Sequence, residues 1–203
     1  MKYKAVLFDL LTGLLDSWTV WNRVAGGEEP GRRWRAAYLE LTYGCGAYRP
    51  YETLVAEAAQ KAGLPDLSGE LAREWHTLRP WPGVEVLKKL QVKLGVVTNC
   101  SEKLGRAAAA RAGVAFDVIV TSERAGFYKP DPRPYRLALS ELGLKPDEVL
   151  FVAGSGFDLI GTSRVGMAAY WHNRVGLKRP EGAPPPLRES PSLAGLLDLV
   201  RSN

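Results

Sequence analysis

The chain has 203 residues, enough for one sizeable core or a core with an appendage, and its 46% hydrophobic and 24% charged residues exclude a disordered polymer. Its formal charge of +5 suits an anionic ligand, but the cations are scattered, with Arg32-Arg33-Trp34-Arg35 a short cluster, so no nucleic-acid partner is expected. No apolar run approaches the roughly 18 residues of a membrane span, and Ala5 to Leu7 is too short for a signal peptide, so a cytoplasmic protein away from membranes is expected.

Short apolar runs recur along the chain, each ending on a polar residue. Ala5-Val6-Leu7-Phe8 leads into Asp9, and Leu94-Gly95-Val96-Val97 into Thr98-Asn99. Val118-Ile119-Val120 leads into Thr121, Val149-Leu150-Phe151-Val152 into Ala153-Gly154-Ser155, and Ala168-Ala169-Tyr170-Trp171 into His172-Asn173. Helical patterns at Val84 to Leu90, Glu102 to Ala112, Pro134 to Leu142 and Phe157 to Val165 alternate with these runs, which predicts an α/β fold around a buried parallel sheet. A last helix is expected from Ser192 to about Arg201, after an extended loop from Lys178 to Pro191.

One interval breaks the rhythm. Between Ser17 and Arg79 only helical segments occur, at Arg32 to Thr42, Tyr51 to Ala62 and Leu71 to Leu78, punctuated by Pro30-Gly31, Arg49-Pro50 and Leu64-Pro65. A helical block inserted after the first strand reads as a cap over the sheet edge. Residues 1–16 and 80–203 would then form the core domain and 17–79 the cap. Trp18, Trp21 and Trp34 in this block suit either a homodimer interface or helix packing.

In open α/β sheets ligands bind beyond the carboxyl ends of the strands. The polar residues there include Asp9, Thr12, Thr98, Asn99, Ser155 and Asp158, joined by Lys129. Individually Thr98 and Ser155 could be simple helix caps, Asp158 a carboxylate favoured by a helix dipole and Lys129 a turn residue. Their order is more specific: carboxylate, hydroxyl and amide, lysine, carboxylate. Cys45 and Cys100 are far apart with no Cys/His cluster, so reduced thiols and no zinc are expected. Gly154-Ser155-Gly156 lacks the third glycine of a dinucleotide loop, since Leu159 stands there.

Four motifs in order make the chain resemble the haloacid dehalogenase superfamily, within it the L-2-haloacid dehalogenase (type II) branch. They are Leu7-Phe8-Asp9-Leu10-Leu11-Thr12-Gly13, Gly95-Val96-Val97-Thr98-Asn99-Cys100-Ser101, Tyr128-Lys129-Pro130-Asp131-Pro132-Arg133-Pro134-Tyr135, and Val149 to Asp158; Trp171-His172-Asn173-Arg174 fits the same branch. The resemblance implies a Rossmann-like core with a helical cap, and catalysis by Asp9, Lys129, Asp158 and Thr98. Asp9 would attack a small 2-halo carboxylic acid to form an aspartyl ester, with no cofactor. For the substrate it implies Arg35 as the cap arginine that grips the halide, Asn99 and Tyr135, with Leu11, Thr12, Ser155 and Phe157 around them. Arg32 and Arg33 compete with Arg35 for that part, and Tyr135 suits inward packing almost as well.

Departures from the family keep two alternatives open. Phosphatases of the superfamily place a general acid where Leu11 stands and a second acidic magnesium ligand where Gly154 stands, so a magnesium-dependent phosphatase loses ground twice. The dehalogenase branch has Gly-Thr where this chain has Thr12-Gly13, and Ala153, Ser155 and Phe157 replace its serine, asparagine and tryptophan. A well-placed donor is worth on the order of 10²–10³ in rate, so a protein that binds an anion without turnover is the second alternative.

Overall fold

A computed structural model describes residues 3–201. Strand β1 (Ala5–Phe8) is followed by helices α1 (Ser17–Val24), α2 (Glu28–Gly44), α3 (Tyr51–Lys61) and α4 (Ser68–Glu74). Then come β2 (Lys93–Thr98), α5 (Glu102–Arg111), β3 (Val118–Thr121), α6 (Ser122–Ala125), α7 (Pro132–Leu142), β4 (Val149–Ala153) and α8 (Gly156–Ser163). The chain closes with β5 (Ala168–His172), β6 (Arg188–Ser190) and α9 (Leu196–Arg201).

The strands form one parallel sheet in the order β3-β2-β1-β4-β5-β6, a Rossmann-like α/β architecture. Every β1 residue is buried, and the two-residue period of the strands sorts their side chains onto two faces. Val6, Phe8, Val96, Leu150, Val152 and Tyr170 join an apolar cluster with the cap helices. Ala5, Leu7, Val97, Phe151, Ala153 and Trp171 pack instead with Tyr135, Ala138 and Leu159 of α7 and α8. This double burial is why the runs read as continuous apolar stretches.

Register brings the strand ends level. Phe8 is opposite Val96 on one side and Val152 on the other, and the amide of Asp9 continues the ladder to the Val152 carbonyl at 2.9 Å. The chain builds outward from β1 through β2 to β3, then returns to place β4 on the other flank of β1. The crevice at that reversal is where ligands of open α/β sheets bind.

The helical block leaves and rejoins the sheet at adjacent points, since Leu15 bridges Pro80 and Asp16 caps α1 by accepting the Thr19 amide at 3.0 Å. It is also fastened to the sheet layer. Trp75 Nε1 donates to Leu104 O at 2.9 Å, Tyr128 hydroxyl to Arg49 O at 2.8 Å and the Tyr48 amide to Gly126 O at 2.7 Å. Trp21 and Trp34 are buried within the chain, 4.6 Å apart, whereas Trp18 is half-buried.

The structure departs from the expected elements in several places. Pro30-Gly31 does not punctuate: α2 begins at Glu28 and runs through both, because a proline in the first turn forfeits no helix bond. Gly31 is needed there, since a Cβ would lie 2.3 Å from Asn22 Oδ1 of α1. Helix α1 itself went unassigned. Val84–Lys89 is a 3-10 helix rather than an α-helix, a short piece between left-handed Gly83 and extended Leu90. The Lys178 to Pro191 loop contains β6, a polar edge strand without the apolar signature of its neighbours. Helix α9 starts at Leu196, after a turn in which Ser192 Oγ accepts the Ala194 amide.

Candidate active site

Asp9 sits one residue beyond β1, 7% exposed, and its two oxygens are treated differently. Oδ2 accepts the Thr12 amide at 2.9 Å, the Thr12 hydroxyl at 2.6 Å and the Gly13 amide at 2.8 Å. Oδ1 faces the Lys129 ammonium at 2.8 Å. Thr12 thus lines the cavity while turning its hydroxyl to the carboxylate rather than to a ligand, and Thr12-Gly13 still supplies donors to Asp9.

Lys129 precedes α7, whose start is set by Asp131 accepting the Arg133 amide and by Pro132 in the first turn. This lysine is buried and bridges two acids, with Nζ 2.8 Å from both Asp9 Oδ1 and Asp158 Oδ1. Asp158 also accepts the Tyr135 hydroxyl at 3.0 Å and the Gly154 amide at 3.3 Å. Burial pushes Lys129 down, but the facing Asp158 and Asp9 outweigh it and hold the ammonium above its usual range. Burial pushes both acids up. For Asp9 the Lys129 charge and the Thr12 donors prevail and leave it below the usual carboxylate range. For Asp158 burial and the nearby Asp9 charge prevail over Lys129, and it lies above that range. The acids are therefore pushed apart, one firmly ionised and one more basic.

Gly154 makes this packing possible. A Cβ there would lie 2.3 Å from Thr12 Oγ1, 2.3 Å from the Gly13 amide and 2.4 Å from Asp9 Oδ2. The position that was read only as a missing acid is one that no side chain can occupy beside the Thr12 hydroxyl.

The cavity in front of Asp9 holds about 220 Å³. Lys129, Asp158, Ser155, Phe157 and Leu11 line its sheet side, and Arg35, Trp18, Leu39 and Tyr43 its cap side. Tyr43 and Phe157 meet across the two sides with ring centroids 4.6 Å apart. Leu177 and Lys178 complete the rim, in a loop pinned by Asn173, which exchanges hydrogen bonds with Leu177 at 2.7 and 2.9 Å.

The three arginines of the cluster separate cleanly. Arg32 and Arg33 pair on the exposed helix face with Glu28 and Glu29, one turn back. Arg35 turns inward, 9% exposed, donating to Ser17 Oγ at 3.0 Å with its guanidinium 4.2 Å from the Trp18 ring centroid. Among the described residues no carboxylate forms an ion pair with it, and burial pushes its pKa down.

Other expected residues lie one step back from the cavity. Tyr135 is fully buried, against Phe151, and touches Asp158 rather than the cavity, so the inward-packing reading holds and its hydroxyl supports the acid. The Asn99 side chain is committed to Lys129, donating to its carbonyl at 3.1 Å and accepting its amide at 2.8 Å, with Ser122 hydroxyl as a third partner at 2.9 Å. It orients the lysine, although Asn99 does border the cavity. Thr98 is buried outside the cavity wall, and its hydroxyl meets no hydrogen-bond partner among the described residues. Ser155 lies at the start of α8 without capping it. The sequence marks no site role for Tyr43, Lys178 or His172, and Trp18, expected to serve a homodimer interface or helix packing, lines the cavity instead. Only His172 stood inside a quoted motif.

No group of three or more His, Cys, Asp and Glu side chains gathers among the described residues, and no helix among them is long and apolar enough to cross a membrane. The free thiols Cys45 and Cys100 lie apart from the cavity lining.

The sequence and the fold are similar to those of known proteins. The sequence profile of haloacid dehalogenase-like hydrolases matches residues 3–166. The (S)-2-haloacid dehalogenase of Pseudomonas sp. (strain YL) is 30% identical over 98% of this chain and 95% of its own. The crystal structure of an L-2-haloacid dehalogenase that is 25% identical superposes with a TM-score of 0.86 over the whole of both chains. The fold is also that of the L-2-haloacid dehalogenase from Xanthobacter autotrophicus with chloropropionic acid covalently bound, at a TM-score of 0.88, 24% identity, and coverage of 98% of this chain and 99% of that one. With an acid at the end of β1, its lysine and its second acid in family order, the chain belongs to the haloacid dehalogenase-like hydrolases.

Proposed function

We propose that the protein is a 2-haloacid dehalogenase that uses Asp9 as nucleophile on a small 2-halo carboxylic acid and needs no metal. The observation that carries this reading is the asymmetry of Asp9: Oδ1 faces the cavity's lysine alone, while three donors hold Oδ2. Oδ1 attacks the halogen-bearing carbon, the carbon–halogen bond breaks, and the halide leaves toward Arg35. That guanidinium is a weakly hydrated cation with no carboxylate to compete for it.

The product of this step is an ester through Oδ1. Water then adds to its carbonyl carbon, and negative charge develops on Oδ2, where the Thr12 amide, Thr12 hydroxyl and Gly13 amide already point. Asp158, the more basic of the two acids, takes the water proton. Collapse breaks the bond between the carbonyl carbon and Oδ1, Asp158 returns its proton to Oδ1, and the 2-hydroxy acid departs with Oδ1 while Asp9 keeps the water oxygen. Ser155 on the wall and Lys178 at the rim have side chains free to meet the substrate carboxylate. The three donors on Oδ2 answer the losses at Ala153 and Ser155.

Phosphoryl transfer fits the site less well. Leu11 offers no proton to a leaving alkoxide, and the ammonium of Lys129 occupies the position between the two carboxylates. The deciding assay measures halide release from L-2-chloropropionate in EDTA beside phosphate release from an aryl phosphate with magnesium. Chloride release that persists in EDTA is expected. Phosphate release that depends on magnesium, with no chloride released, would overturn the reading.

A further inference from the structure

The donors on Asp9 Oδ2 act only if the Thr12–Gly13 segment stays still, and the structure holds that segment from two sides. The peptide joining Thr12 to Gly13 donates its N–H to Asp9 Oδ2 at 2.8 Å, while its carbonyl accepts Trp81 Nε1 at 3.0 Å. The next carbonyl, Gly13 O, lies 2.8 Å from His172 Nδ1. Trp81 belongs to the segment where the chain rejoins the sheet after the cap, and its amide also bonds Leu14 O at 2.9 Å. His172 is the last residue of β5, fully buried.

We propose that Trp81 and His172 are positioning residues that clamp successive carbonyls of this segment, Trp81 aiming the Gly13 amide at the developing oxyanion and His172 anchoring the following peptide, whose Leu14 amide is itself tied to Leu10 O. This rests on the reading of Asp9 as the nucleophile. In a planar peptide the C=O and N–H point in opposite directions, so gripping the Thr12 carbonyl from outside turns the Gly13 N–H inward. Hydrogen bonds in such a chain also polarise one another. A carbonyl can only accept, so His172 must carry its proton on Nδ1. The Nε2 atom makes no well-formed hydrogen bond among the described residues; burial lowers the imidazole pKa and outweighs the Gly13 and Pro191 carbonyls, which favour the charged ring. Only glycine fits at position 13, because a Cβ would lie 2.4 Å from Asp9 O.

Since the oxyanion forms during ester hydrolysis, loosening the clamp should slow that step more than the attack. In His172→Leu and Trp81→Phe, kcat is expected to fall about tenfold or more with KM falling alongside it and kcat/KM changed less than about twofold, and intact mass spectrometry should find aspartyl ester accumulating during turnover. His172→Asn, whose Nδ2–H stands near the lost Nδ1–H, should recover most of the rate, whereas His172→Gln should not. Equal rates for the Asn, Gln and Leu variants, or loss of activity with no ester, would overturn the proposal. A measurement without turnover keeps it testable if a variant misfolds. The chain has two histidines, so ¹⁵N imidazole shifts compared with a His76→Gln variant report His172 directly. The Nδ1–H tautomer is expected at neutral pH, and an Nε2–H tautomer or an imidazolium would overturn the clamp. If the wild-type protein releases no halide, the Asp9 reading fails while the tautomer result still stands.

Discussion

The sheet side and the cap side of the cavity each bury a cation, on opposite terms. Lys129 lies between two carboxylates at 2.8 Å, with its backbone tied to Asn99. Arg35 is similarly enclosed but forms no ion pair among the described residues: a serine hydroxyl and indole faces touch it, while Asp9 and Asp16 act on it only from beyond contact. A paired cation holds structure together. An unpaired one is costly to the fold and open to an arriving anion. Under the proposed reaction, the reacting groups are pre-assembled on the sheet, while the place for the departing charge is left open on the cap.

Replacing each cation with methionine sharpens this contrast most. Lys129→Met leaves two buried acids facing each other, and thermal or urea unfolding should show a loss of about 3–5 kcal/mol along with halide release. Arg35→Met should leave unfolding free energy unchanged or raised while lowering kcat/KM about 10²-fold or more. Stability lost equally in both variants would erase the distinction.

Rates against pH test the sheet side next. The facing acids raise Lys129, so the ammonium persists below its raised value and its ion pairs are lost only as pH climbs through it. Activity should therefore hold through the usual range of lysine titration before an alkaline decline. A decline that starts near neutrality, with the protein still folded, would speak against a charged Lys129 at work. The smallest effect belongs to the outer arginines. Arg33→Gln removes an exposed pair with Glu29 and should change stability by under about 1 kcal/mol and halide release by less than about twofold.

The sheet was legible in the sequence because its strands are buried on both faces and end on polar residues level with Asp9. The cap was legible as a helical block, but the helix starts within it were not: Pro30-Gly31 reads as a break until Gly31 is seen to pack against Asn22 inside α2. Asp9, Lys129 and Asp158 could be named because motif order carries them. What Asn99 and Tyr135 touch could not, because orientation across elements is set by packing. The role of Gly154 was invisible for the same reason, since an absent side chain shows its purpose only beside Thr12 Oγ1. Trp81 and His172 act through backbone carbonyls 69 and 159 residues away, a relation that no local pattern encodes.

The central claim, that Oδ1 of Asp9 becomes bonded to the substrate, is tested most directly by a single turnover in ¹⁸O-labelled water with enzyme in excess over L-2-chloropropionate. The lactate released should carry unlabelled oxygen, and the peptide containing Asp9 should gain one heavy oxygen. Labelled lactate with an unlabelled Asp9 peptide would mean that water attacks the substrate directly, and would contradict the account.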